Sequence, residues 1–366
     1  MYDYLIVGAG ISGISLAERL ANDRGASVLL IDKSNHLGGN CYDYYDSHNI
    51  LIHKYGPHIF HTNNIEVKRY LSLFTLWTPY NHKVKINYQG KLYHFPINRD
   101  TINKFYGCKL NNINEVKKFL ISSVLNFKQE NNSEEYLLNR IPKELYEAFY
   151  KNYSYKQWGK YPSELPKSIC SRIPIRLNNN EYYFSDKYQI MPAQGYSEMF
   201  NRMVSSKKIE LLLNTDYSKI VNNISFNRLI FTGKIDEYFD FTYGELFYRS
   251  LKIRLKNIPV QFFQDVAVIN YPELKNNYTR ISEYKYMTGQ KSDSTTISYE
   301  YPADNGEACY PLRDKNNLEK FRKYVRLSKK YKNIHFAGRL GEYKYFNIDQ
   351  AVLNSLNIYK NIVYNK

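Results

Sequence analysis

Several clusters of residues in this chain are spaced for chemistry, and the first is a glycine turn. Gly8-Ala9-Gly10-Ile11-Ser12-Gly13 follows a short apolar run, Tyr2 to Val7, and precedes a stretch whose apolar positions are Ile14, Leu16, Ala17 and Leu20. Glycines at this spacing permit a tight turn, a close backbone approach to a pyrophosphate and close helix–strand packing. The N–H groups of the helix that follows are free to meet the phosphates. A second apolar run, Ser27 to Ile31, ends at Asp32, whose carboxylate can accept a ribose hydroxyl. Gly8, Gly10, Ser12, Gly13 and Asp32 are therefore expected to bind a dinucleotide. Gly38-Gly39-Asn40, just beyond Asp32, offers a second backbone approach to a diphosphate. With Gly338-Arg339-Leu340-Gly341 near the far end of the chain, it points to FAD rather than NAD.

A histidine cluster follows in Lys54-Tyr55-Gly56-Pro57-His58-Ile59-Phe60-His61-Thr62. His58 and His61 stand three apart, which raises the question of a metal. Catalytic zinc usually takes three protein ligands. His53 is near in sequence, but no carboxylate sits at helical ligand spacing. The better reading is a pair of histidines lining a flavin site. No Ser-His-Asp or paired-carboxylate signature accompanies them.

The elements that must position these residues begin with one βαβ unit over residues 2–32. The continuous apolar run at 28–31 is of the kind buried on both faces of a parallel sheet. From Asn112 to Trp158 the period is helical: Val116, Phe119, Leu120 and Phe127 share a stripe, Asn112 or Asn114 can cap, and Pro142 opens a later helix. Beyond Ile169, β-type runs alternate with polar turns at 172–176, 182–184, 227–231, 260–263 and 266–269, suggesting an antiparallel sheet. Ile334 to Gly338 reads as a strand entering a glycine turn, and Val352, Leu353, Leu356 and Tyr359 mark a final amphipathic helix.

At 366 residues the chain has room for two or three domains and a sizeable core. Aromatic residues make up 16%, which argues against disorder, and no apolar stretch approaches the ~18–20 residues of a membrane span. The net charge of +16 favours polyanions or phosphorylated small molecules. The densest basic run, Arg322 to Lys332, reads as a solvated helix face rather than a nucleic-acid patch. The four cysteines are far apart and form no CxxC pair, and the first strand begins almost at once with no cleavable signal, so a reducing cytoplasm is expected.

The glycine turn, His36-Leu37-Gly38-Gly39-Asn40, the segment from Lys54 to Thr62, Tyr153 through Trp158, Arg172-Ile173-Pro174, Tyr278-Thr279-Arg280, Tyr310-Pro311 and Gly338 to Gly341 together resemble the prokaryotic UDP-galactopyranose mutases, in order and over nearly the whole chain. The resemblance implies an α/β fold: a Rossmann-like FAD-binding domain (1–80, 192–245 and 330–366), a helical substrate and lid domain (81–160), and an antiparallel sheet domain (161–191 and 246–329). It implies interconversion of UDP-galactopyranose and UDP-galactofuranose through attack of N5 of reduced FAD on the anomeric carbon, without net redox change. The product would feed a surface polysaccharide such as O-antigen or capsule.

Carried over by motif, Arg172, Arg280 and His61 are the implied catalytic residues, and the two arginines also bind the substrate diphosphate. Phe149 and Tyr153 would hold uracil, and Trp158 would lie on a mobile lid. Tyr183, Arg249, Asn270, Tyr310 and Tyr345 would contact diphosphate or sugar. His58, Ile59, Gly338, Arg339, Asn347 and Ile348 would join Gly38, Gly39 and Asn40 around FAD. Three positions depart from the pattern: Ser12 stands where Phe is common, Asp32 where Glu is common, and Asn347 where Asp is usual. The last removes a negative charge near an anionic substrate. NAD(P)H or another reductant and a homodimer are further implications. The alternatives are an FAD-dependent oxidoreductase of the amine-oxidase or monooxygenase type, or a mutase preferring UDP-N-acetylgalactosamine.

Overall fold

A computed structural model describes residues 1–364. Its first layer is a five-stranded parallel sheet in the order Ile209–Leu212, Val28–Ile31, Tyr2–Val7, Phe226–Phe231, Ile334–Phe336. Val28–Ile31 is buried along its whole length, as its unbroken apolar sequence requires in a sheet covered on both faces. The Ile11–Arg24 helix crosses one face and packs against the closing helix, Ile348–Tyr364. The strand at 227–231, one of those read with the antiparallel sheet, belongs here, paired in parallel with Tyr2–Val7.

The second layer is a seven-stranded sheet in the order Tyr310–Pro311, Tyr248–Ile258, Thr295–Ala303, Arg280–Glu283, Val268–Asn270, Val84–Tyr88, Lys91–Phe95. All pairs are antiparallel except Val268–Asn270 with Val84–Tyr88. Residues 84–95, grouped with the helical segment in the sequence reading, thus form a hairpin at the edge of this sheet.

The helical segment contains Ile113–Ser123, capped by the Asn112 side chain, and Ser133–Leu138, capped by Asn132. Phe127 lies beyond the end of the first helix and is exposed. A longer helical run covers Lys143–Tyr146, a π turn at Glu147–Lys151, and Asn152–Trp158.

Three runs read as strands are not strands. In 172–176, Pro174 lacks the N–H a ladder needs. In 182–184 a single bridge joins Tyr182 to Lys83. In 260–263 the chain is exposed, and the N–H groups of Phe263 and Gln264 donate to the Glu283 carboxylate instead of a neighbouring strand.

Candidate active site

The glycine turn shows why glycine is needed there. A Cβ on Gly13 would lie 2.0 Å from the Gly8 carbonyl oxygen, and Gly8 itself sits at φ +101°. The two glycine turns touch: the Gly38 N–H donates to the Ala9 carbonyl at 2.8 Å, and a Cβ on Gly39 would come within 3.1 Å of the Gly10 Cα. The Asp32 carboxylate pins this geometry by accepting from the Ala9 N–H at 2.7 Å and the Ser34 N–H at 2.8 Å. Gly338 closes in from the far end of the chain, where a Cβ would meet the Ser12 hydroxyl at 3.1 Å. Asn40 follows in the single turn Gly39–Cys41.

The helix starting at Ile11 has Gly10 at its N-cap, no side-chain cap and no acid in its first turn. The helices starting at Ile65, Arg99, Ile113, Ser133 and Lys315 are each capped by an Asn or Asp side chain. The first helix alone in this group keeps its terminal N–H groups for an external anion. A bare helix start, two glycine turns in contact and an anchored carboxylate fit the pyrophosphate and ribose of a dinucleotide such as FAD.

Arg339, next to the Gly338 that meets Ser12, lines a cavity of about 440 Å³. The helical run presents Phe149, Tyr150, Tyr153, Ser154, Gln157 and Trp158 to it. These are pairs repeating every four residues, one stripe of a helix. The π turn contains Phe149 and Tyr150, and such turns are frequent at functional sites. Trp158 is the last residue of the helix rather than part of a loop; it packs on Leu165 and Leu312, and Gly159 closes the helix in the left-handed region at φ +69°.

Arg172, Arg280 and Arg339 reach the cavity from three separate parts of the chain. Arg280 is directly opposite Glu300 on the neighbouring strand, with its Nε 3.2 Å from the carboxylate. Glu300 is 1% exposed, and burial lifts its carboxyl above the usual range against the pull of Arg280. Burial works against the Arg280 charge, but Glu300 together with Tyr153, Tyr310 and Tyr183 outweighs it and the guanidinium stays protonated. Arg172 has no carboxylate within ion-pair distance among the described residues; its guanidinium lies 4.7 Å from the Tyr345 ring centre. Arg339 lies 4.9 Å from the same ring and donates to the carbonyls of Cys309 and Phe346. Burial would raise the Tyr345 phenol, but Arg172, Arg339 and Arg280 outweigh it and hold the group below its ordinary value. Burial dominates at Tyr153, Tyr183 and Tyr310 and pushes them up. The result is a buried, tyrosine-lined site with excess positive charge, suited to a diphosphate.

His61 is in the cavity wall, its Nδ1 2.9 Å from the Asp186 carboxylate and its ring stacked on Phe184. His58 also lines the cavity. Burial, aided by Arg339, drives its pKa down to about 3, so it is neutral at physiological pH. Ile59, Asn270, Asn347 and Ile348 line the cavity too.

Arg249 does not. Its guanidinium donates to the Gln157 and Lys156 carbonyls at 3.0 and 3.1 Å and pairs with Asp304, so the side chain holds a helix end instead of facing the cavity. The sequence reading also passed over Asp186, Glu300 and Asp349. Asp349 lines the cavity and accepts from the Thr62 hydroxyl at 2.9 Å, which leaves a carboxylate two residues from Asn347. The Tyr345-Phe346-Asn347-Ile348-Asp349 segment was the available signal for Asp349.

A family model described as UDP-galactopyranose mutase matches residues 148–345, and one described as an NAD(P)-binding Rossmann-like domain matches residues 6–74. The "Probable UDP-galactopyranose mutase" of Klebsiella pneumoniae is 37% identical over 361 residues, spanning 96% of this chain and 92% of that one. A dTDP-fucopyranose mutase of Escherichia coli is 31% identical over 369 residues, spanning 97% of each. Among solved structures, a reduced UDP-galactopyranose mutase superposes with a TM-score of 0.78 at 13% identity, covering 100% of this chain and 94% of that one. A putrescine oxidase reaches 0.61 at 14% identity, with 99% of each covered, so the fold is shared with an oxidase and does not by itself mark a mutase. Sequence identity makes that separation, and by it this chain belongs to the UDP-galactopyranose mutase family.

Proposed function

We propose that this protein interconverts UDP-galactopyranose and UDP-galactofuranose, using non-covalently bound FAD in its reduced form. The observation that carries this reading is the convergence of Arg172 and Arg280 on one tyrosine-lined cavity beside the dinucleotide turn. When bound, reduced FAD would supply a nucleophilic nitrogen for the anomeric carbon, with no net electron transfer.

Gly8, Gly10, Ser12, Gly13 and the helix start at Ile11 hold the FAD diphosphate, and Asp32 holds a ribose. Gly38, Gly39, Asn40, Gly338 and Arg339 complete that cradle. His58, Ile59, Asn347 and Ile348 border the ring system. Arg172 and Arg280, with Tyr310 and Tyr345, neutralise the substrate diphosphate. Its charge grows as the anomeric C–O bond breaks, so these groups bind the transition state more tightly than the ground state. Tyr153 and Phe149 flank the base, Trp158 borders the nucleotide from the helix end, and Tyr183 and Asn270 meet the diphosphate or sugar. His61, oriented by Asp186, borders the reacting sugar. The chain's own work is orientation, charge stabilisation and exclusion of water.

NAD(P)H or another reductant primes the flavin, and the enzyme acts as a homodimer in the cytoplasm. Among the described residues, no helix is long and apolar enough to cross a membrane. The experiment is to incubate dithionite-reduced protein with UDP-galactofuranose and separate the sugar nucleotides by chromatography, with dTDP-fucopyranose and UDP-N-acetylgalactopyranosamine in parallel. Formation of UDP-galactopyranose supports the reading. Conversion of only one of the other two nucleotides would reassign the substrate.

A further inference from the structure

Tyr153 and Trp158 sit on the helix Asn152–Trp158, whereas Asn270 and Arg280 sit on two strands joined by the loop 271–279. The cavity lies between helix and strands, so its width depends on what fastens one to the other. One direct contact across the gap is long, with the Tyr153 hydroxyl 3.5 Å from Asn270 Oδ1, and the same hydroxyl also faces Arg280. The short contacts belong to Lys156. Its Nζ donates to the carbonyls of Tyr271 at 2.7 Å, Glu273 at 3.2 Å and Tyr278 at 2.5 Å.

An ammonium has three N–H donors and no acceptor. Here each donor meets a backbone carbonyl, and all three carbonyls belong to one loop. The Glu273 carboxylate is engaged elsewhere, with Lys275 and the Gln89 N–H. Half-burial pushes the Lys156 pKa down to about 8, against the pull of Glu273. The helix end is fastened on its other side by Arg249, which takes the Lys156 and Gln157 carbonyls, while the Tyr155 carbonyl accepts from the Gly159 N–H at 2.8 Å. Two cations at the C-terminal end of one helix also suit its dipole.

We propose that Lys156 is a positioning residue for the mutase reaction: it docks the nucleotide-facing helix onto the loop between Asn270 and Arg280 and so sets the distance between base-binding and diphosphate-binding groups. The proposal rests on the mutase reading above. Lys156 touches neither flavin nor sugar in this arrangement. Its loss therefore acts first on nucleotide binding, common to ground state and transition state, which raises KM by more than it lowers kcat.

The test uses holoenzyme and UDP as probe. Replacing Lys156→Met should raise the Kd for UDP and the KM about ten- to a hundredfold, the scale of losing hydrogen bonds to a charged group, with a smaller fall in kcat and FAD content unchanged. Lys156→Arg, which can also donate to several carbonyls, should restore most of the affinity. A second measurement covers poor folding of Lys156→Met. Wild-type affinity for UDP should fall as pH rises through about 8 and the ammonium is lost, whereas Lys156→Arg should lack that step. The charged and titratable groups around Lys156 are Glu273, Tyr271 and Tyr278 of the loop and Arg249 at the helix end. All are retained in Lys156→Arg, as is Tyr345 in the cavity, so a step that persists in that variant overturns the assignment. Equal UDP affinity in wild type and Lys156→Met also overturns it. Wild-type protein that binds no UDP would instead overturn the mutase reading.

Discussion

Arg172 and Arg280 carry the same charge in different settings: Arg280 is paired with buried Glu300, and Arg172 faces Tyr345, Tyr183, Tyr310 and Cys170, with no carboxylate within ion-pair distance among the described residues. Replacing either by Ala should lower kcat on the order of 10²-fold, as loss of one transition-state donor does elsewhere. Flavin content should be unchanged, and Lys should restore only part because it cannot make a bidentate contact. Near-wild-type turnover in both Ala variants would remove them from the mechanism. Tyr345 gives a second prediction. Three arginines hold its phenol low, so it should ionise before the other tyrosines. A diphosphate bound among those arginines would neutralise them and repel a phenolate, so UDP should raise that pKa. The check is the 295 nm difference between wild type and Tyr345→Phe on alkaline titration, with and without UDP; no displacement by UDP would place the diphosphate elsewhere. At this scale the arginines of the cavity wall and several of its tyrosines were legible in the sequence, because Arg172, Arg280, Tyr310 and Tyr345 occur in recognisable short segments. Glu300 was not, since its meaning comes from cross-strand register with Arg280. Arg249 was legible as a residue but not as a contact: the carbonyls it holds belong to a helix some 90 positions earlier.

Among elements, the glycine turn is the least tolerant. Gly13→Ala would drive a methyl group into the Gly8 carbonyl, so this variant should lose FAD or fail to accumulate. Gly25→Ala is the control: nothing lies within 4 Å of its Cβ, and the left-handed backbone should cost only about 1–2 kcal/mol with the yellow colour retained. A yellow Gly13→Ala protein of normal occupancy would show that the turn does not hold the cofactor. The helix Ile113–Ser123 was legible from its Asn112 cap, but the helices capped by Asn64 and Asn98 were not read, although the same signal marks their starts. The runs at 172–176 and 260–263 misled because apolar, β-type composition says nothing about where backbone N–H groups find partners. At Phe263 and Gln264 they find a carboxylate. The π turn at Glu147–Lys151 left no mark in the residue pattern, yet it lies where the helix meets the cavity.

For the molecule as a whole, the net charge of +16 and the arginine-rich cavity act in the same direction on an anionic nucleotide. The affinity for UDP should therefore weaken as salt rises, more steeply between 0.01 and 0.1 M than above, as screening lengths shrink from ~30 to ~10 Å. Salt-independent binding would mean that the diphosphate is not the principal anchor. The parallel layer was legible from the βαβ unit at residues 2–32, but the assembly of its remaining strands from residues 209–231 and 334–336 is a tertiary fact that no local pattern carries. The same fold serves oxidases, so the central claim is a chemical one: the flavin reacts without net electron transfer. The most direct measurement follows product and flavin absorbance together in an anaerobic cuvette containing reduced protein and UDP-galactofuranose. The expected result is many UDP-galactopyranose molecules formed per flavin while the flavin stays reduced. One product or fewer per flavin, with the oxidised spectrum returning as substrate is consumed, would contradict the account.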